Sequence, residues 1–199
     1  MRPFLCLCVL LAALPAAAAD NAIGMFSGST GTVILWRGGK AFRPNNGNPL
    51  FAADEIETRD GAKARILFLD DSVLSMGPKS RIALAQYGYE GDTRHFTLKV
   101  AAGRFKIAVA KWFLGKTEGA IETPTAVAGV RGTVVWGDVD LDAVCALEGT
   151  VNLRAKSGAP AGKDLTAGAC AAEMKAGKTT PLTPSASDLR KYLAEVTLP

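Results

Sequence analysis

Histidine is almost missing from this sequence: there is one, His95, in 199 residues. A metal centre built from several histidines is therefore excluded within one subunit. A Ser-His-Asp triad would have to use His95, and no Gly-x-Ser-x-Gly elbow exists to present its nucleophile. Cysteine is scarce too, four in all, and Cys6 and Cys8 lie in an N-terminal apolar run. Only 21% of residues are charged and 48% are apolar, which excludes a disordered chain. Basic residues number 23 against 19 acids and are scattered, so a dedicated nucleic-acid binder is not expected. Beyond the N-terminal run, no apolar stretch is long enough to cross a bilayer.

Residues 1–19 read as a secretory signal peptide. Arg2 is followed by an apolar run from Phe4 to Leu14, then Pro15 and an alanine stretch in which Ala17 and Ala19 satisfy the small-x-small rule. Phe4 to Ala19 falls short of the roughly 20 residues of a spanning helix, so cleavage after Ala19 is expected ahead of a retained anchor. No small-residue pair precedes Cys6 or Cys8 in a way that would invite lipid attachment. The chain left after cleavage has no membrane span and carries 22 bases and 19 acids. Export would place Cys145 and Cys170 where disulfides persist, so the two are expected to pair, the alternative being two buried free thiols.

What is present from Gly31 onward is a series of short β-branched or alternating runs closed by Gly, Asp or Pro. Thr32 to Trp36 is one strand. Ala62 to Leu69 and Ser72 to Met76 flank Asp70-Asp71 as a hairpin. Phe96, Leu98 and Val100 alternate with His95, Thr97 and Lys99; after Gly103, Phe105, Ile107 and Val109 alternate again, which predicts two half-buried strands around a turn. Further strands are read within Ile121 to Val135, Val139 to Leu147 and Thr150 to Leu153. The spacing of about ten residues per strand predicts an all-β fold of short strands in a solenoid-like or sandwich-like stack. Gly-Thr-Val at 31–33, 132–134 and 149–151 is a weak internal echo in favour of the stack. Residues 20–30 read as an N-terminal lead and 175–199 as a peripheral C-terminal tail. A short helix capped by Ser187 or Asp188 is expected there, running through Tyr192 and Leu193.

Candidate chemistry is thin. Gly115-Lys116-Thr117 and Gly177-Lys178-Thr179 resemble the end of a phosphate-binding loop, but Ala110 and Ala172 stand where its first glycine belongs. Asp138, Asp140 and Asp142 have calcium-loop spacing, yet Ala143 occupies the turn glycine's place and Gly149 that of the bidentate acid. A solvated strand face or hairpin edge is the plainer reading. Asp70-Asp71 and Asp54-Glu55 could serve acid-base work, but neighbouring residues in a turn or strand do not show convergence on one cleft. His95 is read as a solvated surface residue. Trp112 and Phe113, between Lys111 and Lys116, are a possible partner contact or else turn packing. No catalytic, cofactor or metal residue is assigned.

The most specific segment is Thr123-Pro124-Thr125-Ala126-Val127-Ala128-Gly129-Val130-Arg131-Gly132-Thr133. It resembles the T-P-x-A-x-x-x-V-R-G-T motif of FecR-like domains. Pro49-Leu50 to Ile56-Glu57-Thr58, Gly61 to Leu74, Leu147 to Val151 and Leu165 to Gly168 are similar to further segments of that family, in order, over Gly31 to Met174. Ala53 and Asp71 replace family glycines, and Ala169-Cys170 follows where the family often has Gln. The resemblance implies an all-β, non-enzymatic periplasmic module without a cofactor. In founding members the domain senses an outer-membrane transporter and relays the signal inward to a sigma factor; this chain shows no spanning helix after its leader through which to do so. Thr123, Pro124, Val130, Arg131, Gly132 and Thr133 are the motif residues. Arg131, in an apolar and Gly-flanked stretch, is expected to bind carbonyls or a carboxylate inside the fold, with ligand binding as the alternative. The expected partner is an unidentified envelope protein or cell-wall component. Self-association into an envelope assembly, and cell-wall polysaccharide binding or modification, are the competing readings.

Overall fold

The computed structural model describes residues 21–113, 115–158 and 162–198; the leader read at 1–19 lies outside the described residues. In chain order the strands are β1 (Gly24–Thr30), β2 (Val33–Arg37), β3 (Lys40–Phe42), β4 (Pro49–Leu50), β5 (Glu55–Thr58) and β6 (Lys63–Phe68). They continue as β7 (Val73–Met76), β8 (Arg81–Glu90), β9 (Thr93–Ala102), β10 (Arg104–Ala108), β11 (Lys116–Glu122) and β12 (Ala126–Val130). The last six are β13 (Val134–Asp138), β14 (Ala143–Glu148), β15 (Thr150–Ala155), β16 (Lys163–Thr166), β17 (Cys170–Ala172) and β18 (Thr180–Leu182), before helix α1 (Ala186–Val196). Sheet I has the order β18-β17-β14-β13-β10-β7-β6-β1-β4 and sheet II the order β16-β15-β12-β11-β9-β8-β5-β2-β3. The chain shuttles between them: β6–β7 in sheet I, β8–β9 in sheet II, β10 back in sheet I, β11–β12 in sheet II. The path is a stack of hairpins, and the cross-section is a sandwich. Neighbours are antiparallel except β9 and β11, which run parallel.

Alternation decides which face of each strand turns inward. Phe96, Leu98 and Val100 of β9, Phe105 and Ile107 of β10, and Ile66 and Phe68 of β6 are buried in one core between the sheets. The expected Asp70-Asp71 hairpin forms, with Ile66 opposite Leu74. The turn at Gly103 does not join a pair, because β9 pairs with β8 and β11 while β10 pairs with β7 and β13. At Gly103 (φ 74°) the chain steps from one sheet to the other, and a Cβ there would stand 2.5 Å from the Lys79 carbonyl oxygen. A period of two fixes the inward face but is blind to the partner strand.

Other expectations need correction. The N-terminal lead contributes a strand that was not read from the sequence: residues 24–30 form β1 between β4 and β6, concealed by Gly and Ser content that carries little strand signal. The run from Ile121 to Val135 is broken at Thr123, whose Oγ1 accepts the Ala126 N–H at 3.0 Å and turns the chain between β11 and β12. Val139 to Asp142 is the turn of the β13–β14 hairpin, so the strand read from Val139 begins only at Ala143 and these acids sit at a hairpin edge, not on a strand face; Asp142 has φ 50° and Leu141 is exposed. Ala53 and Asp71, the two residues standing in place of glycines, keep the left-handed backbone at φ 66° and 64°. The turns survive substitution, at about 1–2 kcal/mol each for a residue bearing a Cβ.

Sheet I is covered on its outer side. Trp136, Cys145 and Cys170 stand in register across β13, β14 and β17, and Cys145 and Cys170 form a disulfide. Helix α1 packs over them: Tyr192 stacks on Trp136 with ring centroids 4.6 Å apart, and Val196 is buried in the same cluster. The tail is tied down further by Arg104 to Glu195 and by Lys63 Nζ, which donates to the carbonyls of Ala194 and Thr197. The helix begins earlier than expected. Ser185 is its cap, its Oγ accepting the Asp188 N–H at 3.1 Å, and Asp188 answers as the third helical residue of a capping box. Among the described residues no helix covers the outer face of sheet II.

Candidate functional site

The open face of sheet II is built by register. Gln86 of β8, Thr97 of β9, Ala120 of β11, Gly129 of β12, Asn152 of β15 and Asp164 of β16 lie opposite one another in a row across six strands. Ala120 and Gly129 bring almost no side chain to the middle of that row. The result is a trough, floored by small residues and bordered by polar ones, within a concavity of about 830 Å³. A Cβ at Gly129 would approach nothing closer than 3.7 Å, so the space above it is free. One border carries His95, Glu118, Arg131 and Thr150. His95 is partly exposed, and its Nδ1 lies 3.4 Å from a Glu118 carboxylate oxygen.

Arg131 overturns an expectation. It is exposed, and among the described residues it makes no ion pair or side-chain hydrogen bond. The alternation of β12 places Ala126, Ala128 and Val130 inward, which turns Gly129 and residue 131 to the open face. A buried arginine needs several acceptors; one facing water does not, and its fork is left available. Arg131 joins the trough to a second concavity of about 550 Å³, lined also by Lys111, Trp112, Phe113 and Lys116. Phe113 is 89% exposed. Trp112 is half-buried, leans on Tyr89 with centroids 5.5 Å apart, and donates its indole N–H to the Asp92 carbonyl. Of the two aromatics, Trp112 is packed in the turn and Phe113 is exposed to solvent.

The loop that carries them is clamped by Arg94, which was not singled out from the sequence, together with Asp70. Arg94 and Asp70 form an ion pair with side chains 0% and 1% exposed. Arg94 also donates to the Ala110 carbonyl at 2.7 Å and to Thr117 Oγ1 at 3.0 Å, while the Ala110 N–H donates to Ser72 Oγ. One guanidinium thus links the β6–β7 turn of sheet I, the segment 109–113 and β11 of sheet II. Tyr87 lies against the same pair, and burial, with the Asp70 charge second, holds its phenol far above the ordinary tyrosine range. The signal was in the alternation: Arg94 shares its phase with Phe96, Leu98 and Val100, a charge on an apolar face.

The remaining candidates do not converge. Asp54 is buried and forked by Arg37, with Nη2 at 2.7 Å, while neighbouring Glu55 meets Arg81 on the exposed side. Asp70 is inside and Asp71 is turned out in a left-handed turn. Asp138 accepts the Asp140 and Leu141 N–H groups and lies 3.2 Å from Arg104. Asp142 accepts from Thr125 Oγ1 and the Lys175 N–H. These acids hold turns together. Gly115-Lys116-Thr117 leads into β11, and Gly177 closes a 3-10 turn at Met174–Ala176. Of the motif residues, Thr123 and Thr133 are buried and Val130 faces the core.

A family model described as FecR protein matches residues 54–155. The match is shorter than the resemblance read over Gly31 to Met174, and leaves Pro49-Leu50 and Leu165 to Gly168 outside it. No curated protein matches the chain. Among solved structures, two crystal structures of a candidate anti-sigma factor from Parabacteroides distasonis ATCC 8503 share the fold. Their TM-scores are 0.54 and 0.53 at 15% and 16% identity, over 70% of this chain. The chain spans 64% and 63% of those proteins, less than two thirds of their length.

Proposed function

Because the chain belongs to the FecR protein family, we propose that it is a non-enzymatic, exported recognition module. It acts in the periplasm, binding an envelope protein or other envelope component through the open face of sheet II. The observation that carries this reading is Arg131: the arginine of the family motif stands exposed, beside Phe113, where two concavities meet. Among the described residues its guanidinium has no partner within the fold, which leaves it available to an external one. Export is supported by the leader-like residues 1–19 and by the disulfide, which persists in oxidising compartments. A signalling role is supported by the family and by the likeness to a candidate anti-sigma factor, which adds fold alone at 15% identity.

The test is photo-crosslinking in cells from a benzophenone side chain at position 113, with position 25 on sheet I as control. A discrete adduct from 113 alone supports recognition by this face. Equal patterns from both positions, or no adduct from either, would sink it. The polar lining of the trough also favours a cell-wall polysaccharide as a second reading. Co-sedimentation with purified peptidoglycan tests that, and release of soluble fragments would make the protein an enzyme.

A further inference from the structure

We propose that the sheet II face is a docking groove for a short acidic segment of a partner protein, in which carboxylates sit next to an aromatic or large aliphatic side chain. This rests on the recognition reading above and names the chemistry of the partner.

Charge is the first argument. The lining of the second concavity holds Lys111, Lys116 and Arg131, and among the described residues none of them is in an ion pair. Its one acid, Glu118, is engaged with His95. Three cations around a recess favour carboxylates, and the planar fork of Arg131 suits two-point contact with one. The second argument is Phe113, nine-tenths exposed at the rim of the same recess. Trp112 beneath it is packed and hydrogen-bonded, and the loop is clamped through Ala110, so little ordering remains to be done when a partner covers the ring. An exposed aromatic beside an unpaired arginine matches the residue types enriched at protein interfaces.

Shape and the rest of the lining select a peptide. The two concavities share Thr117, Glu118 and Arg131, so one ligand can occupy both. The trough crosses six strands; at roughly 4.8 Å per strand spacing it is about 24 Å long, or about seven residues of extended chain. Its floor at Ala120 and Gly129 is low enough for a main chain, and Gln86, Thr97 and Asn152 offer side-chain partners to peptide groups. Glu118 and Asp164 would repel a uniform polyanion. A neutral glycan would find no ring to stack against, since Phe96, the aromatic residue of the lining, is 4% exposed and turned into the core.

The probe is a display library of random linear peptides about seven residues long, the extended length of the trough, panned on the purified full chain. Hits are then resynthesised and titrated by fluorescence anisotropy. Enrichment of Asp or Glu beside Phe, Tyr, Trp or Leu is expected, with affinity falling as salt is raised. Arg131→Glu should weaken the hits at least tenfold. Gly129→Trp should abolish their binding by filling the trough, and both variants should melt with the native protein. Should Gly129→Trp fail to fold, the exposed Arg131→Glu variant alone decides. Hits without acids, or hits that bind Arg131→Glu as well as native protein, overturn the proposal, as does stronger binding of soluble peptidoglycan fragments at the same face. An adduct from position 113 that acidic peptides cannot displace would leave recognition standing and refute this chemistry; absence of any adduct would refute recognition itself.

Discussion

Arg94→Met removes the guanidinium of a fully buried pair while keeping much of its bulk. Asp70 is then left with a 1% exposed side chain and no cation, and the Ala110 carbonyl and Thr117 hydroxyl each lose a donor. Breaking a buried pair from one side costs about 3–5 kcal/mol, because a charge remains without compensation. For a domain of this size each kcal/mol moves Tm by about 2–4 °C, so a fall of roughly 6–20 °C is expected by circular dichroism. The cycle is closed with Asp70→Asn, whose side-chain oxygen can still accept the Ser72 N–H. The double variant should be more stable than the sum of the two losses allows, by about 2 kcal/mol or more, since neither charge is then stranded. Hydrogen exchange should quicken over 109–113, the segment held by Arg94 through Ala110. A loss below about 1 kcal/mol for Arg94→Met, or strict additivity in the cycle, would refute the clamp.

Four further outcomes are expected. Arg131→Ala should leave stability within about 0.5 kcal/mol, as for an exposed unpaired side chain, and a large drop in Tm would show that it has buried partners after all. Reduction of Cys145–Cys170, which spans 25 residues, should remove about 3.5 kcal/mol on the chain-entropy account; intact mass with and without alkylation should reveal no free thiol before denaturation, and labelling of both cysteines in the native protein would contradict this. Ala53→Gly should stabilise by roughly 0.5–1 kcal/mol, the relief of strain at φ 66° less the larger conformational entropy that glycine loses on folding; urea midpoints read this directly. The Asp188 carboxyl is held below its ordinary range by hydrogen bonds from Ser185. A depressed carboxylate adds stability above its unfolded pKa and loses it as pH falls through the folded value. Helix α1 should therefore fray below about pH 4, seen as loss of Trp136–Tyr192 near-ultraviolet dichroism, and Asp188→Asn should flatten that pH response.

Local rules carried the sequence a long way. Alternation at Phe96, Leu98 and Val100, and at Phe105 and Ile107, determined which side chains would be buried, because a strand's side-chain period of two is a property of the backbone alone. The Asp70-Asp71 turn, the family motif at Thr123 to Thr133 and the pairing of Cys145 with Cys170 were legible for similar reasons of local chemistry or compartment. What the tertiary structure alone decided is which strands are neighbours. Gly103 joins strands of different sheets, β9 lies parallel to β11 across a long connection, and β1 is a strand in spite of its glycines and serines. Those pairings set the site: Gln86, Thr97, Gly129 and Asp164 are far apart in sequence and adjacent only through register. The same holds for Arg131. Its flanking residues suggested burial, but solvent lies on one side of sheet II because α1 covers sheet I instead, and no local pattern encodes which face a terminal helix will take.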